Sequence, residues 1–75
     1  MSHNSTDTLI KMINQIAENN AAYENEEAAE RVVTHIKRFW ARKMKSELIV
    51  YLKTDGGKLN PIARKAAEKL LIMTN

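Results

Sequence analysis

Residues 26–45 read EEAAERVVTHIKRFWARKMK and contain the only Trp and the only Phe of a 75-residue chain. On a helical wheel with 3.6 residues per turn, the apolar side chains of this segment fall within one arc of roughly 120°. They are Ala29, Val32, Val33, Ile36, Phe39 and Trp40. Arg31, Arg38 and Arg42 lie on a neighbouring arc, and His35 lies at the edge between the two. The segment therefore predicts an amphipathic helix that points Phe39 and Trp40 toward a core.

The apolar arc breaks just after Trp40. An unbent helix would place Lys43 in the middle of that arc, and burying an unpaired ammonium group is costly. We therefore expect the helix axis to change direction near Ala41 or Arg42, with a new helix over about residues 42–53.

Two helices are predicted before this corner. The first covers about residues 7–20, with Asp7 as its N-cap. The second begins after Asn25, whose side chain can cap free backbone amides, and runs to about Trp40. On the second helix, Glu27 precedes Arg31 by four residues, a spacing that favours an ion pair.

A fourth helix follows a glycine turn. Gly56 or Gly57 can supply the left-handed backbone that ends the third helix. Asn60 as N-cap and Pro61 at the first helical position are typical of a helix start. The sequence thus predicts an all-α fold, a small bundle of about four short helices. It forms a single domain over residues 7–75, after a flexible N-terminus of residues 1–6.

The composition argues against several functions. With no cysteine, disulfides and thiolate metal sites are excluded, and neither His3 nor His35 lies in a ligand motif. Ser5 and Ser46 have no nearby histidine that could act as a base, so an enzyme acting by itself is not supported. The polar start MSHNSTDT and the lack of an apolar run of about 20 residues predict a cytoplasmic protein without a membrane segment.

The net charge of +3 leaves a nucleic-acid hypothesis open. Arg38, Arg42, Lys43 and Lys45 could contact phosphates, although no helix shows a convincing base-reading face. Trp40 has two interpretations: a core residue, or a half-exposed anchor for a protein partner, since Trp and Arg are frequent in interface hot spots.

Three sequence blocks resemble the delta subunit of NAD-dependent formate dehydrogenase. Residues 9–17, LIKMINQIA, resemble its opening motif hydrophobic-x-Met-Ala-Asn-Gln-Ile. Residues 35–44, HIKRFWARKM, resemble its signature His-Ile-Arg-Arg-Phe-Trp-x-Pro-x-Met, with Arg42 in place of the proline. Residues 56–61, GGKLNP, resemble Gly-Gly-x-Leu-Ser-Pro before an alanine-containing helix. The blocks keep their order and spacing over about residues 9–70.

The resemblance implies a small accessory subunit that binds no cofactor. Catalysis would belong to the large alpha subunit of a cytoplasmic complex. That complex is expected to carry a molybdenum or tungsten cofactor, iron–sulfur clusters, FMN and NAD in the partner subunits. The small chain would support assembly or stability of the complex, and when isolated it could form a homo-oligomer.

We expect five residues to contribute to docking on the large subunit. His35, Arg38 and Arg42 would flank the contact face, with Trp40 near its centre. Asn14 would add a polar contact, since it falls just outside the apolar arc of the first helix. A small nucleic-acid-binding domain is the alternative function.

Overall fold

Four helices form the fold. The structure, a computed structural model, describes residues 5–74. In this range α1 (Ser5–Asn19), α2 (Asn25–Phe39), α3 (Arg42–Thr54) and α4 (Pro61–Thr74) follow one another, and no strand occurs there. The predicted all-α fold is confirmed. Of the predicted flexible N-terminus, residues 5 and 6 belong to α1, and residues 1–4 lie outside the described range.

The core lies mainly between α2 and α4, which share the most extensive contact of any helix pair. Alanines dominate this interface and are fully buried, which lets the two helix backbones approach closely. They are Ala28, Ala29, Ala63, Ala66 and Ala67. Larger side chains complete the core, among them Ile13 of α1, Ile36 of α2, Leu48 of α3 and Leu70 of α4. The helix pair α2–α4 is therefore the centre on which α1 and α3 pack.

The predicted signals around the α3–α4 loop are confirmed. Gly56 has a φ of +71°, and its N–H donates to the carbonyl of Tyr51 at 3.1 Å to close α3. The Asn60 side-chain oxygen accepts a hydrogen bond from the N–H of Ala63 at 2.8 Å and so caps α4.

Two predicted N-caps are wrong. Asp7 lies inside the first turn of α1, where its charge suits the helix dipole, because the helix already starts at Ser5. Asn25 is the first residue of α2, and the N-cap position is taken by Glu24, which makes no side-chain capping bond.

The corner between α2 and α3 is where the sequence predicted it. Trp40 leaves the helix with φ −92° and ψ 140°, and Ala41, at φ −68° and ψ 157°, is the N-cap of α3. Lys43 is exposed, as expected from the cost of burying its charge. The Lys45 ammonium donates to the carbonyl of Lys37 at 3.1 Å, across the corner. This bond satisfies a carbonyl in the last turn of α2.

Candidate protein-docking site

The two aromatic residues at the end of α2 have opposite environments. Trp40 is 5% exposed and belongs to the core, whereas Phe39 is 70% exposed. The prediction that Phe39 faces the core is therefore wrong. A helical wheel assumes that the core extends along the whole helix, but α2 ends at Phe39 and the extended backbone of Trp40 starts the turn into α3. The ring of Phe39 instead contacts His35, with centroids 4.8 Å apart and ring planes at 40°.

A shallow depression lies on the solvent side of α2. It has a volume of about 450 Å³. Its lining residues are Glu30, Arg31, Thr34, His35, Arg38 and Phe39. We call this surface the outer face of α2; it combines aromatic rings with two guanidinium groups.

A second depression, of about 430 Å³, lies between the first two helices. Its lining residues are Lys11, Met12, Gln15 and Ile16 from α1, with His35 and Trp40 from the end of α2. We call it the α1–α2 groove. His35 belongs to both surfaces, so the groove and the outer face of α2 form one continuous region around this histidine.

Arg31 is held in place by contacts within the chain. Its Nε donates to the side-chain oxygen of Asn20 at 3.0 Å, and its guanidinium carbon lies 4.3 Å from the ring centroid of Tyr23. The predicted ion pair with Glu27 does not form. A cation over an aromatic face gains electrostatic attraction while keeping its outer N–H groups available.

Most basic residues around His35 have no acidic partner within residues 5–74. Lys11 and Arg38 form no ion pair there. The acidic residue of the outer face, Glu30, lies 3.1 Å from the ammonium of Lys69. Its charge is thus neutralised by α4, and the surface around His35 is left with a net positive charge.

The paired charges are concentrated where α2 meets α4. Hydrogen bonds from Lys69 and then Lys65 lower the pKa of the Glu26 carboxyl, and bonds to Glu26 and Glu30 raise the pKa of the Lys69 ammonium. These pairs link α2 to α4. Because Glu26 and Glu30 are paired with lysines of α4, they do not compensate the basic residues near His35.

Asn14 has both polar groups of its side chain engaged within the chain. Its Nδ2 donates to the carbonyl of Lys58 at 2.9 Å, and its Oδ1 accepts from the N–H of Asn60 at 2.9 Å. The Asn60 amide donates in turn to the backbone carbonyl of Asn14 at 3.3 Å. Asn14 therefore ties α1 to the α3–α4 loop. Its contact with a partner stays a prediction.

Arg42 is the first residue of α3 and lies apart from the region around His35. It lines another depression, together with Lys45, Ser46 and Ile49. Of the five residues predicted for docking, the structure thus brings together His35, Arg38 and Trp40, and Trp40 contributes from a buried position. Sequence reasoning missed Phe39 as a surface residue; the signal for it was its position immediately before the predicted break.

No candidate metal centre occurs among the described residues. Residues 5–74 contain no group of three or more His, Asp or Glu side chains that could hold a metal ion. Across this range every buried side-chain nitrogen or oxygen has a hydrogen-bond partner. His3 lies outside the described residues. None of the four helices is both long and apolar enough to cross a membrane.

Comparison with known proteins identifies the family. The chain matches the family described as NADH-dependent formate dehydrogenase delta subunit FdsD over residues 8–67. Searches of the curated proteins and of the solved structures gave no significant match. The match spans all of α2 and α3, most of α1 and the first half of α4, and it includes the three blocks noted in the sequence. The chain belongs to the family of NADH-dependent formate dehydrogenase delta subunits.

Proposed function

We propose that this chain is a non-catalytic accessory subunit of a cytoplasmic NAD-dependent formate dehydrogenase. It docks on the large alpha subunit and supports the assembly or stability of the complex. The observation that carries the proposal is the family match over residues 8–67. Formate oxidation, with its molybdenum or tungsten cofactor, iron–sulfur clusters, FMN and NAD, takes place in the partner subunits, and this chain binds none of these groups.

The surface around His35 supports a docking role. It presents an exposed aromatic ring beside cations that have no acidic partner within residues 5–74. Aromatic and arginine side chains are enriched at protein interfaces, especially at their energetic centres. Asn14, His35, Arg38, Trp40 and Arg42 remain the residues proposed for contact with the alpha subunit.

Co-expression of the complex with and without this chain tests the proposal. We expect a tagged chain to co-purify with the alpha subunit, and we expect omission of the chain to reduce the yield or cofactor content of the complex. Equal yield, cofactor content and formate oxidation without the chain, together with no co-purification, would contradict an accessory role.

Two substitutions test the docking face within the same experiment. Arg38→Glu reverses an exposed charge and should reduce co-purification, whereas Lys53→Glu makes the same charge change on an exposed residue of α3 and should not. Trp40→Ala is a less specific test, because truncating a buried tryptophan costs about 3–5 kcal/mol of folding free energy. Its effect on the complex is interpretable only where circular dichroism shows that the variant is folded.

A further inference from the structure

We infer that the α1–α2 groove and the adjoining Phe39 bind an acidic segment of the alpha subunit. An apolar side chain of that segment packs against Met12 and Phe39, and its carboxylates pair with Lys11 and Arg38. This inference rests on the proposed function, since it names the part of the partner that the docking face receives.

The apolar part of the site is Phe39 together with the groove beside it. Phe39 is 70% exposed and Met12 38% exposed, and the largely buried Trp40 is among the residues that line the groove. A volume of about 430 Å³ is sufficient for a large apolar side chain of a partner. An apolar side chain that packs against Phe39 and into the groove expels water from both, so an anchor there gains from the hydrophobic effect.

Side chains at and beside the site make contacts within the chain. The ring of His35 contacts Phe39 at 4.8 Å between centroids, and Arg31 is held by Asn20 and Tyr23. A side chain that is fixed before binding loses little conformational entropy on binding. The ring of Phe39, in contact with His35, is therefore suited to act as an anchor.

The charges around the site indicate an acidic partner. Lys11 lines the groove, Arg38 lines the outer face of α2, and neither forms an ion pair within residues 5–74. The carboxylate of Glu30, the acidic residue of the outer face, is held by Lys69. Charge complementarity favours a partner that supplies the missing carboxylates.

The same charges disfavour a second copy of this chain as the occupant. In a two-fold contact the same surface of each copy meets itself. A two-fold contact centred on this site would place the positive charges of Lys11 and Arg38 from both copies in one interface, and like charges facing each other at an interface are unfavourable.

The test uses the full-length chain and a formate dehydrogenase complex prepared without it, with binding measured at low and high salt. Phe39→Ala should weaken binding about tenfold or more, as truncation of an interface anchor does. Ile72→Ala, which removes an even more exposed apolar side chain at 74% exposure on α4, should leave affinity within about twofold. Arg38→Glu should slow association and reduce its salt dependence, whereas Lys53→Glu should not. Circular dichroism checks that all four variants are folded.

The possible results separate this inference from the proposed function. Failure of the wild-type chain to bind would overturn both. Binding of the wild-type chain with equal effects of Phe39→Ala and Ile72→Ala would overturn the inference alone. A wild-type dimer that dissociates in Phe39→Ala would overturn it in favour of a second copy. A salt-sensitive shift with duplex DNA that Arg38→Glu abolishes would overturn it in favour of nucleic acid.

Discussion

Replacing Asn14 with alanine tests how the α3–α4 loop is fixed to α1. The substitution removes the bond from Nδ2 to the carbonyl of Lys58 and the bond from the N–H of Asn60 to Oδ1, both 2.9 Å long. It leaves the carbonyl of Lys58 and the N–H of Asn60 without these partners.

The expected magnitude follows from these two bonds. A hydrogen bond within a protein contributes about 0.5–1.5 kcal/mol net, so Asn14→Ala should lower the free energy of unfolding by about 2 kcal/mol. For a domain of this size, 1 kcal/mol shifts the melting temperature by about 4–8 °C, so we expect a decrease of about 8–16 °C. A small domain has little stability to spare, which makes the effect easy to measure.

Thermal and urea unfolding followed by circular dichroism provide the assay. Gln15→Ala is the matched control, because this exposed neighbour makes a side-chain bond at 3.2 Å to Asn19 within the same helix. It should change the free energy of unfolding by less than about 0.5 kcal/mol. If Asn14→Ala is no more destabilising than Gln15→Ala, the proposed tie between α1 and the loop does not stabilise the fold.

Three further changes have defined expectations. Gly56→Ala should lower the free energy of unfolding by about 1–2 kcal/mol in urea titrations, because the φ of +71° strains a residue with a Cβ; unchanged stability would argue against this turn. Arg42→Pro should raise the free energy of unfolding by about 0.4–1 kcal/mol relative to Arg42→Ala. Position 42 is the first residue of α3, where proline fits, and Ala41 already has the extended backbone that precedes a proline; a loss of stability would contradict this fit. The pKa of Glu26 is lowered in the folded state. The ionised Glu26 side chain therefore contributes to folding stability above the unfolded pKa near 4.5, and this contribution is lost as pH falls through the folded pKa. In thermal unfolding from pH 7 to 2, the melting temperature of Glu26→Gln should therefore differ from that of the wild type most at neutral pH, and the two should converge in acid. A difference in melting temperature that stays constant with pH would contradict the ion pairing.

The position of Arg42 also clarifies the relation to the family signature. The signature has proline two residues after the tryptophan, and in this chain that site is the first residue of a helix. Its backbone N–H has no partner within the helix, so a proline there would cost no hydrogen bond. The corner forms with arginine in this place because burial of Trp40 and exposure of Lys43 already require it.

The sequence by itself determined the helices, the corner and the family. These features depend on residues close together in the chain. Asn60 and Pro61 start α4, and Gly56 ends α3. Lys43 would lie within the apolar arc of an unbent helix, which predicts the corner near Ala41. Capping, left-handed turns and helical periodicity are local effects, so a single sequence is sufficient to predict them. The N-caps Asp7 and Asn25 were wrong because both residues lie inside their helices, α1 starting at Ser5 and α2 at Asn25.

Only the tertiary structure decided which side chains remain on the surface. Phe39 and Trp40 are adjacent in sequence and share an apolar arc, yet one is exposed and the other buried. Asn14 bonds to residues of the α3–α4 loop more than forty positions away, and Arg31 is held by Asn20 and Tyr23 rather than by Glu27. These outcomes depend on where α2 ends relative to the helices packed against it, and a helical wheel contains no information about contacts between distant segments.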